Sequence, residues 1–264
     1  MKNHNRRRLQ AVLGLVVLAA LGLAQLLSVY ASGVLYVAPA GNDANNCPAM
    51  SSACRTISAT VSKASSGDTI IIAAGTYTEN IVIDKDLTLI GFGADATIID
   101  RGLVHISRAT VHIFDLAMTR GNSGSDGDGG ALYNDSGVVT LGYTSILSNH
   151  ADYGGGIYNY SGTLVLDHSL VANNRTSHYG GVIYTTLGSV SISHSTIVSN
   201  SACNTACLYG MGPNATGQKP DYGFLSIGGG IENSRTRCSP PVKVSSACCA
   251  SAGCEHPSPW CPPA

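Results

Sequence analysis

Between Val138 and Asn200 the chain writes one order of apolar and polar positions nearly three times. Aligned on Asn149, Asn174 and Asn200, the position ten residues earlier reads Val139, Leu164 and Val190. Eight earlier it reads Leu141, Leu166 and Ile192, and three earlier Ile146, Val171 and Ile197. The residues between, Thr140, Val165 and Ser191 and then Gly142, Asp167 and Ser193, are small or mostly polar. Alternation of this kind has a period of two and predicts short strands with one face buried. Each unit also carries a six-residue signature: GGALYN at 129–134, GGGIYN at 154–159, GGVIYT at 180–185 and GGGIEN at 228–233. The first three begin 25 and 26 residues apart, and the last follows after 48.

Each unit holds three extended pieces, the glycine-led one, one like TLVL (163–166) and one like STIV (195–198), punctuated by Gly, Ser and Asn. Pieces of four or five residues are too short for helices. A hairpin would not return the same column every ~25 residues, whereas a coil does. The expected fold is therefore all-β, a parallel solenoid with three short strands per coil and aliphatic columns stacked inside. Residues 69–100 and 110–122 follow the scheme less regularly, which gives roughly six to seven coils over 68–234. Ile57, Val61 and Ala64 stand at helical spacing in TISATVSKAS, so 32–67 reads as a capping segment whose short helix covers the open end.

The ends differ from this body. MKNHNRRR followed by AVLGLVVLAALGLA reads as a signal peptide over 1–31 with cleavage after Ala31, or as an uncleaved anchor, since ~20 apolar residues can span a bilayer. Either way the body is exported, to the cell surface or beyond. Residues 203–225 read as an insertion between coils, and 235–264 as an irregular Cys- and Pro-rich tail, native or truncated. Nine cysteines suit an oxidising compartment. Cys47 with Cys54, and Cys203 with Cys207, are the disulfide candidates within short loops. A net charge of −1 gives no basic face for nucleic acid. A monomer is expected.

The stretch LYVAPAGNDANNC…CRTISATVSKASSGDTIIIAAGTYTENIVIDKDLTLIGFGADATIID resembles the N-terminal portion of secreted right-handed parallel β-helix proteins of the pectin-lyase-like superfamily. The GGGIYN…SGTLVLDHSLVANN units resemble polymorphic outer-membrane and adhesin-like repeats of bacterial surface β-helix proteins. The resemblance spans roughly 34–234 and implies a right-handed parallel β-helix. It implies no single activity, since that superfamily holds lyases, hydrolases, esterases and non-catalytic surface proteins. Its polygalacturonase-like members would show N-T-D, Asp-Asp, G-H-G and R-I-K, and this chain has none of them. No clear set of Ca²⁺ carboxylates with a basic residue stands out for a pectate-lyase-like reaction.

Four sets of residues remain candidates for function or for the frame. Tyr133, Tyr158 and Tyr184 follow inward aliphatic residues and are expected to point outward, where they could stack sugar rings or pack on one another. Asp126, Asp128 and Asp152 are expected at one corner, as Ca²⁺ ligands or as a solvated acidic turn; no other cofactor is expected. His168 and His194 share a column with Tyr143 and show no third ligand. Asn149, Asn174 and Asn200 are expected to form a structural ladder at a turn, as residues that tolerate positive φ and can hydrogen-bond across coils to turn backbone outside the strand ladder. The expectation for function is an exported, non-catalytic β-helix presenting an elongated face to glycans or a neighbouring cell surface. The alternative is a polysaccharide-active enzyme, a Ca²⁺-dependent lyase before a glycoside hydrolase.

Overall fold

The computed structural model describes residues 32–123 and 127–202, and the backbone of Leu208–Met211 and Leu225–Gly228. The apolar N-terminal run, Asp126, Cys203, Cys207, GGGIEN beyond Gly228 and the 235–264 tail lie outside the described residues.

From Val34 the chain winds as a right-handed parallel β-helix. Crossovers between parallel strands of one sheet are right-handed almost without exception. The first sheet stacks β1 (Val34–Val37), β2 (Asp68–Ile72), β5 (Leu87–Ile90), β8 (Thr110–Phe114), β11 (Val138–Gly142), β15 (Thr163–Asp167), β19 (Ser189–Ser193) and β23 (Leu225–Gly228) in that order. The second holds β3 (Gly75–Tyr77), β6 (Thr97–Asp100), β9 (Ala117–Thr119), β12 (Ser145–Leu147), β16 (Leu170–Ala172) and β20 (Thr196–Val198). The third holds β4 (Ile81–Ile83), β7 (Val104–Ser107), β10 (Leu132–Asp135), β14 (Ile157–Tyr160), β18 (Ile183–Thr186) and β22 (Leu208–Met211).

The apolar columns set the register. Val111, Val139, Leu164 and Val190 pair in one row, and Ile113, Leu141, Leu166 and Ile192 in another. All eight are buried, each worth roughly 1.5–3 kcal/mol against exposure. A slip by one residue would turn a whole row outward, so the register is strongly held.

Two departures from the three-strand unit appear. The later coils carry a fourth short strand, with β13 (His150–Tyr153), β17 (Arg175–Tyr179) and β21 (Ser201–Ala202) forming their own sheet. Only Ala151 and Thr176 turn inward from β13 and β17, so there is no aliphatic alternation to announce it. Within the stretch expected to be an insertion, β22 pairs with β18 in the register Ile183 to Leu208 and Tyr184 to Tyr209. The rung above GGVIYT is thus supplied by LYGM, 25 residues on, and not by GGGIEN.

Corners turn on single left-handed residues. Asp115, Tyr143, His168 and His194 do so between the first two sheets, with φ of 55, 51, 48 and 47°. Ser148, Asn173 and Ser199 do so after the second. The ladder asparagines follow these residues and do not themselves adopt positive φ; of the two properties expected of them, it is hydrogen bonding across coils that they use. Their side chains turn inward instead. The Asn149 amide donates to Asn174 Oδ1 at 2.9 Å, and that of Asn174 to Asn200 Oδ1 at 3.0 Å. Each also reaches a backbone carbonyl, of Met118, Ile146 or Val171. A second buried ladder runs from Asn134 to Asn159 (2.7 Å) to Thr185 (3.1 Å), and a third links Thr144 and Ser169 at 3.1 Å. These satisfy corner backbone groups that sheet pairing leaves unpaired.

At the N-terminal end, α1 (Ile57–Lys63) buries Ile57, Thr60 and Val61. Thr56 Oγ1 accepts from the Ala59 N–H at 3.2 Å, and the two oxygens of Glu79 accept from Ile57 and Ser58, each at 2.8 Å. A disulfide joins the buried Cys47 and Cys54 across the loop before it. Among the described residues no helix is long and apolar enough to cross a membrane.

Candidate functional sites on two corners

The Gly-Gly signatures turn the chain from the fourth sheet, or its equivalent, into the third. Gly129, Gly154 and Gly180 adopt φ of 72, 63 and 71°, and a Cβ on Gly154 would lie 2.1 Å from the Ile157 carbonyl oxygen. This corner sets Tyr133, Tyr158 and Tyr184 in one row, each paired in register with the next. Their rings stack with centroids 5.2 and 5.1 Å apart, and His105 meets Tyr133 edge-on at 4.9 Å. Rings stacked along the coil axis spend their faces on each other. Tyr133 and Tyr158 are only half-buried, so rims and hydroxyls remain for an outside partner. Tyr184 keeps its place in the row, stacked on Tyr158, but is covered there beside Tyr153 and only 7% exposed. By register the column runs longer than three tyrosines, with His105 before Tyr133 and Tyr209 after Tyr184.

Beside this row lie Asp128 and Asp152. Asp128 pairs in register with Tyr153, and the Asp152 N–H donates to the Gly127 carbonyl at 3.1 Å, so the two acids occupy adjoining coils. Burial, and then the charge of Asp152, push the Asp128 carboxyl above the ordinary carboxylate value. Burial also raises the phenols of Tyr133, Tyr153 and Tyr158, each with a further contribution from Asp128. Tyr153 meets Tyr184 at 5.2 Å, and also stacks on His178 at 5.2 Å and Tyr179 at 6.1 Å. His178 Nδ1 stands 3.9 Å from Asp152 Oδ1. The corner is therefore a set of phenol rims around two carboxylates, one of them raised above the ordinary carboxylate value.

The second cluster lies on the corner between the first two sheets. His168 and His194 stack at 4.6 Å, with Tyr143 on the far side of His168 at 4.9 Å. The group that sequence columns did not attach to them is Asp167, the last residue of β15. Its Oδ2 lies 2.9 Å from His168 Nδ1 and its Oδ1 2.9 Å from His194 Nδ1. The Ser193 hydroxyl donates to Oδ1 at 2.8 Å. Hydrogen bonds from His194, His168 and Ser193 hold this carboxyl well below its usual range. The side chains stay open to solvent, 40% for Asp167, 41% for His168 and 56% for His194. The two histidines, with Tyr143, border an open depression of about 350 Å³ that Thr144, Ser145 and Ser169 also line.

No family model matches the chain, and no curated protein matches it. Among solved structures it is similar to a pectin methylesterase mutant in complex with a hexasaccharide, at 16% identity and a TM-score of 0.49. That likeness covers 75% of this chain and 66% of the other.

Proposed function

We propose that this protein is exported and binds carbohydrate through the corner built from Tyr133, Tyr153 and Tyr158 with Asp128 and Asp152. The observation that carries the reading is the placement of two carboxylates among phenol rims on adjoining coils. Carboxylates and phenol hydroxyls exchange hydrogen bonds with sugar hydroxyls, and ring edges supply apolar contact beside them. Coils stacked at strand spacing repeat such groups along the axis, which suits an extended chain of sugars. The local charge is negative, so neutral or amino sugars fit better than uronates. Acidic glycans would need Ca²⁺ between the two sets of carboxylates.

The test is a glycan array probed with the full chain and with Tyr158→Ala and Asp128→Asn. Binding to neutral glycans, reduced at least tenfold in both variants, supports the proposal. Equal binding by all three proteins rejects it.

One observation favours a second reading, action on the polysaccharide. Asp128 and Asp152 lie on adjoining coils, and burial, then the Asp152 charge, raises the Asp128 carboxyl above its ordinary value, as in a general acid with a second carboxyl beside it. Incubation with neutral and acidic polysaccharides, with and without Ca²⁺, decides this. New reducing ends or unsaturated products, abolished by Asp128→Asn, would replace the binding reading by an enzymatic one.

A further inference from the structure

We propose that Asp167, His168 and His194 form a binding site for a divalent transition-metal ion of the Zn²⁺ class. The site lies on the corner between the first and second sheets, away from the tyrosine corner, and stands independently of the carbohydrate reading.

The donor set is the first argument. One carboxylate and two imidazoles are the nitrogen and oxygen ligands that suit Zn²⁺ and its neighbours, and they differ from the all-oxygen sets of Ca²⁺ and Mg²⁺. Each residue offers one ligand atom, and the three atoms lie within 4.8 Å of one another.

Spacing is the second. Metal bonds of about 2.1 Å meeting at the tetrahedral angle place neighbouring ligand atoms about 3.4 Å apart. The carboxylate oxygens of Asp167 already stand 2.9 Å from His168 Nδ1 and 2.9 Å from His194 Nδ1. An ion that replaces the bridging protons would therefore need two edges of its coordination sphere to open by only about 0.5 Å, and all three ligand atoms already lie within 4.8 Å of one another.

The third argument is preorganisation. Asp167 pairs with Ser193 across β15 and β19, and His168 and His194 follow directly at matching left-handed corners. Ring stacking on Tyr143 and between the histidines limits their rotation, and Ser193 fixes the carboxylate from the other side. Little side-chain freedom is left to lose on binding.

Three protein ligands with solvent at the remaining positions give an open site, the form that leaves room for water or a substrate oxygen. A column of like residues does not reveal it, because the carboxylate ends one strand while the histidines occupy the next position on two coils.

The experiment is a calorimetric Zn²⁺ titration of the full chain near neutral pH. Free thiols are alkylated first, so that the Cys-rich tail does not contribute. Wild type is compared with His168→Gln, His194→Gln and Asp167→Asn, each shown to be folded by circular dichroism. The expected result is one equivalent bound by wild type with a matching rise in melting temperature. Both should be lost, or weakened at least tenfold, in each histidine variant, and weakened in Asp167→Asn. Histidine ¹⁵N shifts should move on metal addition for the two rings. Equal stoichiometry and affinity in wild type and both histidine variants would overturn the proposal, as would the absence of any metal-dependent shift at those rings.

Discussion

The Asn149 side chain donates to Asn174 Oδ1 at 2.9 Å, and the Asn149 backbone N–H donates to that same oxygen at 3.0 Å. Asn174 repeats both contacts with Asn200, so one side chain closes the corner of its own coil and of the coil before. Both asparagines are buried, at 1% and 0% exposure, with no solvent to replace a missing partner.

Asn174→Ala should therefore be severe. It removes the acceptor for two donors of Asn149 and the donors that reach Ile146 O and Asn200 Oδ1. Each stranded buried group costs ~1–3 kcal/mol, so a loss of about 3 kcal/mol or more is expected. Urea unfolding followed by circular dichroism measures it. A change below ~0.5 kcal/mol would show that the ladder does not support the fold.

Glycine positions in the signature should separate by what surrounds them. A Cβ on Gly155 would meet the Arg175 carbonyl oxygen at 2.4 Å and the Gly181 carbonyl oxygen at 2.8 Å, both backbone. Gly67 adopts φ of 92° but has nothing within 4 Å of its would-be Cβ. Gly67→Ala should cost ~1–3 kcal/mol from backbone strain alone. Gly155→Ala forces coils apart and should cost clearly more, with a lower melting temperature or loss of soluble protein. Equal effects from the two changes would contradict this account of the Gly-Gly corner.

The contrast between the two clusters explains what the sequence makes legible. Aliphatic rows such as Val139, Leu164 and Val190 obey two periods at once, two along the strand and about 25 along the chain, so coil and register can both be read. Identical letters in one column, such as Tyr133 and Tyr158, are equally visible. His168 and His194 recur in one column, but Asp167 stands in the neighbouring column, reaches His194 diagonally, and has no like residue above or below it to mark it. The fourth strand hides for a related reason, since His150–Tyr153 turns only Ala151 inward. The way the tyrosine rings face one another is likewise a matter of rung spacing, which identity in a column does not specify.

Acid should weaken the protein partly through Asp167. Its folded value is depressed below the ordinary 3.8 by hydrogen bonds from His194, His168 and Ser193. Between the two values the folded state binds fewer protons than the unfolded chain, so stability rises with pH across that window. The contribution is present above about pH 4 and is lost as pH falls towards the folded value. Asp167→Asn should therefore flatten the acid limb of a melting-temperature profile below about pH 4 while leaving its shape little changed at higher pH. An unchanged acid limb in the variant would count against the carboxylate contacts seen at this corner.

The capping helix offers a last measurable link, between Glu79 and the start of α1. Both Glu79 oxygens accept backbone N–H groups of the first turn, from Ile57 and Ser58 at 2.8 Å each. These donors have no partner inside the helix, and a carboxylate there also complements the positive end of the helix dipole. At about 1.5 kcal/mol for each charge-assisted bond, Glu79→Ala should cost roughly 2–3 kcal/mol. Glu79→Gln keeps one acceptor oxygen and should cost about half as much. Amide exchange at Ile57 and Ser58 should accelerate most in the alanine variant, because α1 covers the end of the coil through Ile57 and Val61. If exchange and stability match wild type in Glu79→Ala, another contact must hold the cap in place.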